Sequence, residues 1–295
     1  MEQGVQTKSV LKFKKKSQFG SIARRFCKNK LAVLGLIVFM ILVLGAVFAD
    51  IITDYEKAIS QNVRVRYTAP NSDFWFGTDA FGRDVFSRVL FGARISLSVG
   101  IVTIFFSLAV GSVIGAVAGY YGGRIDNFLM RIMDVFLAIP QTLLAICIVA
   151  ALGTGVVKML IALGIAQVPQ FARIVRASIF SVKGQEFIEA AHVYGASDVR
   201  IIMRHIMPNA IGPIIVQATL SVATTILSIT MLSFLGIGIQ PPAPEWGSMI
   251  SDARTQIRNH AYLVTIPGIF IAMTVLSLNL IGDGLRDALD PRLKN

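Results

Sequence analysis

Six long stretches of this chain carry almost no charge, and they determine the architecture that the sequence predicts. These stretches are 31–49, 95–123, 135–157, 159–172, 206–244 and 259–282. A membrane-spanning helix needs about 20 predominantly apolar residues, and five of the stretches are long enough. The fourth contains Gly164 and Pro169, so it spans only if its helix continues toward Phe180, past Arg173 and Arg176. The pattern predicts an all-α membrane protein with six transmembrane helices.

Residues 53–94, between the first two apolar stretches, are predicted to form an extracytoplasmic segment. Apolar residues recur there at helical spacing from Phe81 to Leu90, with charged and hydroxyl side chains between them. Thr78 or Asp79 is expected to cap this helix. The pattern favours an amphipathic helix that lies flat at the outer interface over a direct role in substrate contact.

The chain is thereby divided into five consecutive parts. They are a basic cytoplasmic N-terminal segment at 1–30, a first transmembrane helix at 31–52, the extracytoplasmic segment with its interfacial helix at 53–94, a core of five transmembrane helices at 95–285 and a cytoplasmic tail at 286–295. The core includes a cytoplasmic loop at 181–209. Pro140 and Pro169 interrupt the third and fourth apolar stretches, where static kinks are expected.

Composition and charge support the membrane interpretation and orient it. Only 15% of the 295 residues are charged, with a mean hydropathy of +0.67, whereas soluble domains carry about a quarter charged residues. With six spans and the N-terminus inside, 19 of the 28 Lys and Arg residues fall on the cytoplasmic side. The positive-inside rule therefore predicts cytoplasmic N- and C-termini. The net charge of +11 is explained by topology and contact with anionic membrane lipid, so nucleic acid is not an expected partner.

Motifs for catalysis and energy conversion are missing from the sequence. It contains no Gly-Lys pair, hence no phosphate-binding loop, and neither a G-x-S-x-G nor an H-E-x-x-H motif. Three scattered histidines give no metal-ligand spacing, so no catalytic and no metal-binding residues are predicted. Ionisable residues are nearly absent at mid-membrane depth, which argues against a carrier driven by an ion gradient. The energy for any transport must come from another chain.

The cytoplasmic loop is predicted to form two short helices. Residues 184–194 read as the first, and Gly195 follows where a left-handed turn would end it. Ser197 is expected to cap the second, and Pro208 to open the fifth span. The second helix carries an apolar stripe of Val199, Ile202, Met203 and Ile206. The small residues after Glu189 permit close approach by another protein, although periodicity alone favours a surface loop without a partner.

The loop contains Glu189-Ala190-Ala191 with Gly195 and Pro208 in register. This pattern resembles the EAA loop of binding-protein-dependent ABC importer permeases, with His205 and Met207 where Ile and Leu are usual. The resemblance extends to motifs typical of the C-type subunit of dipeptide/oligopeptide/nickel permeases, at 77–84, 92–97, 233–236, 241–247, 279–286 and 290–292. It implies a loop that couples to an ATPase through Glu189, Ala190, Ala191, Gly195, Ala196 and Pro208.

The resemblance also implies a fold and a set of partners. The fold would be that of type I ABC importer permeases (MetI-like), in the cytoplasmic (inner) membrane of a bacterium or archaeon. The partners would be a homologous second permease subunit, two cytoplasmic ABC ATPase subunits that bind ATP and Mg, and an extracytoplasmic substrate-binding protein. This chain itself would bind no cofactor. It would import dipeptides or oligopeptides, with nickel or another small solute as the alternative; a self-sufficient carrier or channel and a membrane-anchored assembly protein are the other hypotheses.

Two sets of small or hydroxyl residues have both a structural and a functional interpretation. Ser107, Gly111, Gly115 and Gly119 are spaced four apart and form a ridge for close helix packing, within this chain or against a partner. The fifth span carries polar residues that either bond to backbone carbonyls or neighbouring helices, or form a wall of the translocation path. These are Gln217, Ser221, Thr224, Thr225 and Ser228.

Overall fold

The computed structural model describes residues 18–289, and these are almost entirely helical. The first four helices are α1 (Gln18–Lys28), α2 (Lys30–Val47), α3 (Ala49–Ile52) and α4 (Tyr55–Ile59). The middle four are α5 (Val85–Tyr121), α6 (Gly123–Leu137), α7 (Gln141–Leu152) and α8 (Val156–Lys183). The last five are α9 (Glu186–Val193), α10 (Asp198–Arg200), α11 (Met207–Phe234), α12 (Trp246–Ala253) and α13 (Tyr262–Leu289). The ends of the predicted N-terminal segment and C-terminal tail, 1–17 and 290–295, lie outside the described residues.

The long helices match the apolar stretches of the sequence. Five helices within residues 18–289 are long and apolar enough to cross a membrane, namely α2, α5, α8, α13 and the run from Asp198 to Phe234 that contains α11. The bent pair α6–α7 gives a sixth if it is counted as one span. The helix of the fourth stretch continues through Pro169 to Lys183, and so meets the condition that it must extend toward Phe180 in order to span a membrane. The predicted all-α membrane class is confirmed.

The third apolar stretch, predicted as a span over 135–157 with a kink at Pro140, is not one continuous helix. Instead α6 and α7 meet at a bend of 85°. Pro140 lies at this break with extended backbone (ψ 129°) and precedes the first residue of α7. Proline lacks the N–H of a helical bond and disfavours the helical conformation in the residue before it, which is Ile139 here. The expected kink is therefore a complete break.

The predicted interfacial helix is also wrong, because no separate helix forms between Phe81 and Leu90. Helix α5 begins at Val85 and continues without interruption for 37 residues to Tyr121. Its cap is Asp84, which accepts a hydrogen bond from the Ser87 backbone N–H at 2.8 Å. Neither Thr78 nor Asp79 caps the helix, since the chain turns at Gly82 with φ of +74° before α5 starts. The apolar residues of this stretch thus belong to the second span.

A buried ion-pair network fixes the segment 53–84 to the helices beside it. The Arg83 side chain is 2% exposed, with its Nε 2.6 Å from Asp79 Oδ2 and its Nη2 3.2 Å from Asp252 Oδ2. Arg88, equally buried, lies 3.6 Å from the same Asp79 oxygen and donates to the Ala58 carbonyl. The network joins the segment to the start of α5 and to α12.

Helix α12 is held in place by a buried carboxylate, Glu245. Its Oε1 accepts hydrogen bonds from the Gly247 N–H (2.8 Å) and the Ser96 hydroxyl (3.3 Å), and its Oε2 accepts one from the Ser248 N–H (2.8 Å). Desolvation raises the pKa of Glu245, and the backbone hydrogen bonds partly offset this. The carboxylate caps α12 and links it to α5 through Ser96.

We expect Arg83→Met to destabilise the protein strongly, because it removes the buried guanidinium that pairs with both Asp79 and Asp252 and leaves Asp79 only its longer contact with Arg88. Breaking a buried ion pair by removing one member costs about 3–5 kcal/mol. The thermal unfolding midpoint of the protein in detergent checks this. Arg254→Met, which removes an exposed arginine at the end of α12, serves as the control. Equal midpoints for the two variants would show that the buried network does not stabilise the fold.

Candidate functional site

Residues 186–208, called here the EAA segment, form a compact helical hairpin. Helix α9 ends in a left-handed turn at Gly195, where φ is +73°. The Gly195 N–H donates to the His192 carbonyl (2.9 Å) and the Ala196 N–H donates to the Ala191 carbonyl (3.1 Å). This pair of bonds is the Schellman motif, which satisfies carbonyls at a helix end. No atom lies within 4 Å of where a Cβ on Gly195 would stand, so the backbone conformation alone selects glycine.

The second arm of the hairpin differs from the prediction in how it continues. Ser197 is the N-cap residue of α10, but its side chain makes no capping hydrogen bond. Helix α10 continues through a π-helical segment, Ile201–Ile206, directly into α11. Pro208 is therefore the second residue of α11 within a continuous helix rather than the start of a separate one. The Met207 N–H bonds to the Ile202 carbonyl, five residues back, so the helix is widened just before the proline.

The hairpin packs one side against the long helices and leaves the other exposed. Ile188, Ile201 and Ile206 are fully buried in one cluster with α8 and α11, and Ala191 and Ala196 are half-buried against it. Four of the six predicted coupling residues are exposed. They are Glu189, Ala190, Gly195 and Pro208.

The exposed side of the hairpin carries large apolar side chains. Val199 and Met203, two members of the apolar stripe of the second helix, are 69% and 66% exposed. Val193 and Tyr194 are 86% and 89% exposed, and Phe187 is 40% exposed. Several large apolar side chains exposed on one short hairpin are typical of an interaction site. The hairpin thus presents a surface suited to burial against another molecule.

The ridge of small residues on α5 faces α8 of the same chain. The Ser107 hydroxyl donates to the Gly164 carbonyl at 3.0 Å. A Cβ on Gly111 would lie 2.6 Å from the Phe171 Cβ, and one on Gly119 would lie 3.0 Å from the Arg176 carbonyl oxygen. At Gly115 the α8 backbone is nearest of all. The missing side chains let the two helix backbones approach closely along about three turns.

The polar residues of α11 do not share one surface. Ser221 and Thr225 are buried, and the Thr225 hydroxyl accepts a hydrogen bond from Gln167 of α8 at 2.7 Å. Thr224 is exposed and Ser228 half-exposed, and each donates to a backbone carbonyl one turn back in its own helix. Gln217, half-buried, donates to the Ser221 hydroxyl at 3.0 Å. The predicted wall therefore divides into a buried pair, of which Thr225 bonds to α8, and a pair that remains accessible.

Two family models match this chain. A model described as "Binding-protein-dependent transport system inner membrane component" matches residues 111–295, which is more than half of the chain and includes the EAA segment. A model described as "N-terminal TM domain of oligopeptide transport permease C" matches residues 17–70.

Curated relatives resemble the chain along nearly its whole length. It is 48% identical over 268 residues to the dipeptide transport system permease protein DppC of Alkalihalophilus pseudofirmus, covering 91% of this chain and 88% of that protein. It is 44% identical over 271 residues to the glutathione transport system permease protein GsiD of Escherichia coli, covering 92% and 89%.

Solved structures share the arrangement of the helices. A chain of the MetNI methionine ABC transporter in an inward-facing conformation aligns with a TM-score of 0.56 at 19% identity, covering 69% of this chain and 96% of that one. A chain of an amino acid ABC transporter aligns with a TM-score of 0.53 at 16% identity, covering 68% and 92%. At these identities the likeness shows a common fold. The chain belongs to the binding-protein-dependent inner-membrane permeases and is a multi-pass, non-catalytic permease subunit of an ABC importer.

Proposed function

We propose that this permease forms half of the translocation pathway of a peptide importer and that its EAA segment docks a separate ATPase subunit. The observation that carries the docking proposal is the exposed apolar surface of the hairpin. Val193, Tyr194, Val199 and Met203 are each about two-thirds exposed or more, although the isoleucines behind them are fully buried. A loop helix with no partner would place polar side chains there.

The proposed topology puts both termini and the EAA segment in the cytoplasm. Asn29, which precedes α2, donates to the Asp287 carboxylate near the end of α13 at 3.2 Å, so the start of α2 and the end of α13 meet at one end of the bundle. A Cβ on Gly212, near the start of α11, would lie 3.8 Å from the Leu289 Cβ, so the EAA segment leads into the bundle at that same end. The excess of Lys and Arg at this end supports a cytoplasmic location.

The proposed assembly contains a homologous second permease, two ATPase subunits and an extracytoplasmic binding protein. ATP and Mg are bound by the ATPase subunits and not by this chain. Membership in the ABC importer permease family supports ATPase and binding-protein partners in general. The particular set of partners named here is part of the proposal.

The proposed substrates are dipeptides or short oligopeptides. The names of two relatives support this class, because one is a dipeptide and the other a glutathione permease, and glutathione is itself a small peptide. Uptake by the complete transporter in vesicles, with labelled dipeptide competed by longer peptides, glutathione or nickel salts, tests the substrate class. Uptake of nickel without peptide uptake would favour the alternative solute.

Glu189→Lys is expected to prevent ATPase recruitment, because it reverses an exposed charge on α9 of the hairpin that is proposed to dock. The measurement is the amount of ATPase that co-purifies with the permease, together with peptide uptake. Glu56→Lys makes the same charge change in an exposed position of α4, at the opposite end of α5. Full recruitment by Glu189→Lys would remove the docking assignment, and equal loss in both variants would indicate a general defect.

A further inference from the structure

Tyr120, at the end of α5, contacts both arms of the EAA segment through its hydroxyl. This hydroxyl donates to Asp198 Oδ1 at 2.7 Å and lies 3.4 Å from His192 Nε2. Asp198 is the first residue of α10, and His192 belongs to the last turn of α9. The Tyr120 side chain is 5% exposed and packs in the same cluster as Ile188. One buried tyrosine therefore joins the second span to both helices of the hairpin.

The same tyrosine is also bound to the end of α8. Lys183, the last residue of that helix, donates through its ammonium group to the Tyr120 backbone carbonyl. The Lys183 Nζ also lies 5.5 Å from the centre of the Tyr120 ring, within the range of a cation–π interaction. The second span, the fourth span and the hairpin thus meet at one residue.

Between this junction and Ser107, the backbones of α5 and α8 are packed directly against each other, so we expect the two helices to move together. Gly111, Gly115 and Gly119 bring the two backbones into contact, and the Ser107 hydroxyl bonds to the Gly164 carbonyl. Interiors packed at this density transmit displacement because they have almost no free volume. The connection to α11 is different, since the hairpin reaches it through the π-helical segment Ile201–Ile206, a type of segment found frequently at functional sites.

We propose that Tyr120 is a positioning residue that transmits the displacement of the EAA segment to the α5–α8 pair during ATP-driven transport. The proposal rests on the docking function proposed above. The hydroxyl bonded to Asp198 makes the hairpin and the pair move together, so its removal lets the hairpin follow the ATPase without moving the pair. The ATPase then remains bound and active while fewer substrate molecules are imported for each ATP hydrolysed.

The test compares Tyr120→Phe with the wild-type protein in the complete transporter, reconstituted with its partners in proteoliposomes. Phenylalanine keeps the ring in its packed site and removes only the hydroxyl. We expect normal ATPase recruitment and an import-to-ATP ratio reduced about tenfold, the factor equivalent to one hydrogen bond to a charged group. Tyr55→Phe, which changes an exposed tyrosine of α4 that packs against Phe91 near the other end of α5, should leave the ratio unchanged.

A double-variant comparison separates this role from a purely local one. Asp198→Asn keeps an oxygen that accepts from Tyr120, so it should retain most coupling, whereas Asp198→Ala should reduce the ratio as Tyr120→Phe does. The double variant Tyr120→Phe with Asp198→Ala should be no worse than either single one, because both remove the same bond.

Two results would overturn the assignment of Tyr120. One is a wild-type import-to-ATP ratio in Tyr120→Phe, and the other is loss of ATPase recruitment together with transport, which would mean that the bond only shapes the docking surface. A wild-type permease that recruits no ATPase would contradict the docking function instead. The two proposals therefore fail in different experiments.

Discussion

Replacing Gly115 with leucine is expected to prevent the second and fourth spans from packing and to leave little correctly folded permease. A Cβ on Gly115 would lie 2.9 Å from the Val175 Cβ and 3.0 Å from the Arg176 backbone nitrogen, and it would lie closer still to the Ala172 carbonyl oxygen. Two of these obstacles are backbone atoms, which cannot rotate aside as a side chain can. Leucine at this position therefore requires the helices to separate.

Separation removes more than one contact, because the ridge is continuous. Overpacking a well-packed interior costs about 1–3 kcal/mol even when the neighbours adjust. Here the close approach at Gly111 and Gly119 and the hydrogen bond from Ser107 to Gly164 are lost as well. In lipid, no hydrophobic force compensates for poorer packing between helices.

The measurement is the yield of monodisperse protein in detergent and its unfolding midpoint, with Gly268→Leu as the matched control. Gly268 lies within α13, and nothing stands within 4 Å of where its Cβ would be. We expect the control to purify like the wild-type protein. The yield and unfolding midpoint of Gly115→Ala should lie between those of the wild-type protein and those of Gly115→Leu. Normal yield and stability of Gly115→Leu would show that the ridge is not a packing surface.

The sequence predicted the ridge but could not predict its partner. Four small residues spaced four apart must share one helix face, which follows from helical geometry alone. Which helix lies against that face depends on how the bundle assembles, and both α8 and a second subunit satisfied the pattern. The structure identifies α8, through contacts such as Gly111 with Phe171.

The two prolines show why local sequence is insufficient to locate helix breaks. Pro169 lies inside the uninterrupted helix α8 and is buried, so the surrounding helices hold its backbone in place. Pro140 lies at an 85° break, between two helices with many exposed residues. Packing against neighbours decides whether a membrane helix continues through proline, and that information is not in the local sequence.

The EAA segment was predictable in outline and not in its contacts. Gly195 identified the turn because few other residues adopt a left-handed conformation readily, and the structure gives it that conformation. Tyr120 had no such signal, because its hydrogen-bond partner Asp198 is 78 residues away along the chain. Val199 and Met203 share the helical period of Ile206, yet Ile206 is fully buried and these two are exposed, a difference that the period alone does not reveal.

Gly195→Arg is expected to abolish transport by disrupting the turn on which the hairpin depends. An L-residue in the left-handed conformation costs about 1–2 kcal/mol relative to glycine. Relief of this strain would break the bonds from Gly195 to His192 and from Ala196 to Ala191, and so change the angle between α9 and α10. A long charged side chain would also project from an exposed position of the proposed docking surface.

A series at this position separates strain from bulk. Space around Gly195 is open, so Gly195→Ala adds the conformational cost with almost no steric effect. Gly195→Asn should be tolerated best, since asparagine adopts the left-handed conformation more readily than other side chains. We therefore expect ATPase recruitment to decrease in the order Gly, Asn, Ala, Arg.

Gly236→Arg provides the matched control at the opposite end of α11. Gly236 has φ of +80°, and its Cβ position is equally open, so arginine there introduces the same strain and charge. Uptake and ATPase recruitment are measured together for both variants. Because Gly236 lies outside the EAA segment, Gly236→Arg should keep full ATPase recruitment. Gly195→Arg should lose both ATPase recruitment and uptake. Normal recruitment and uptake in Gly195→Arg would mean that the turn at Gly195 has no part in docking.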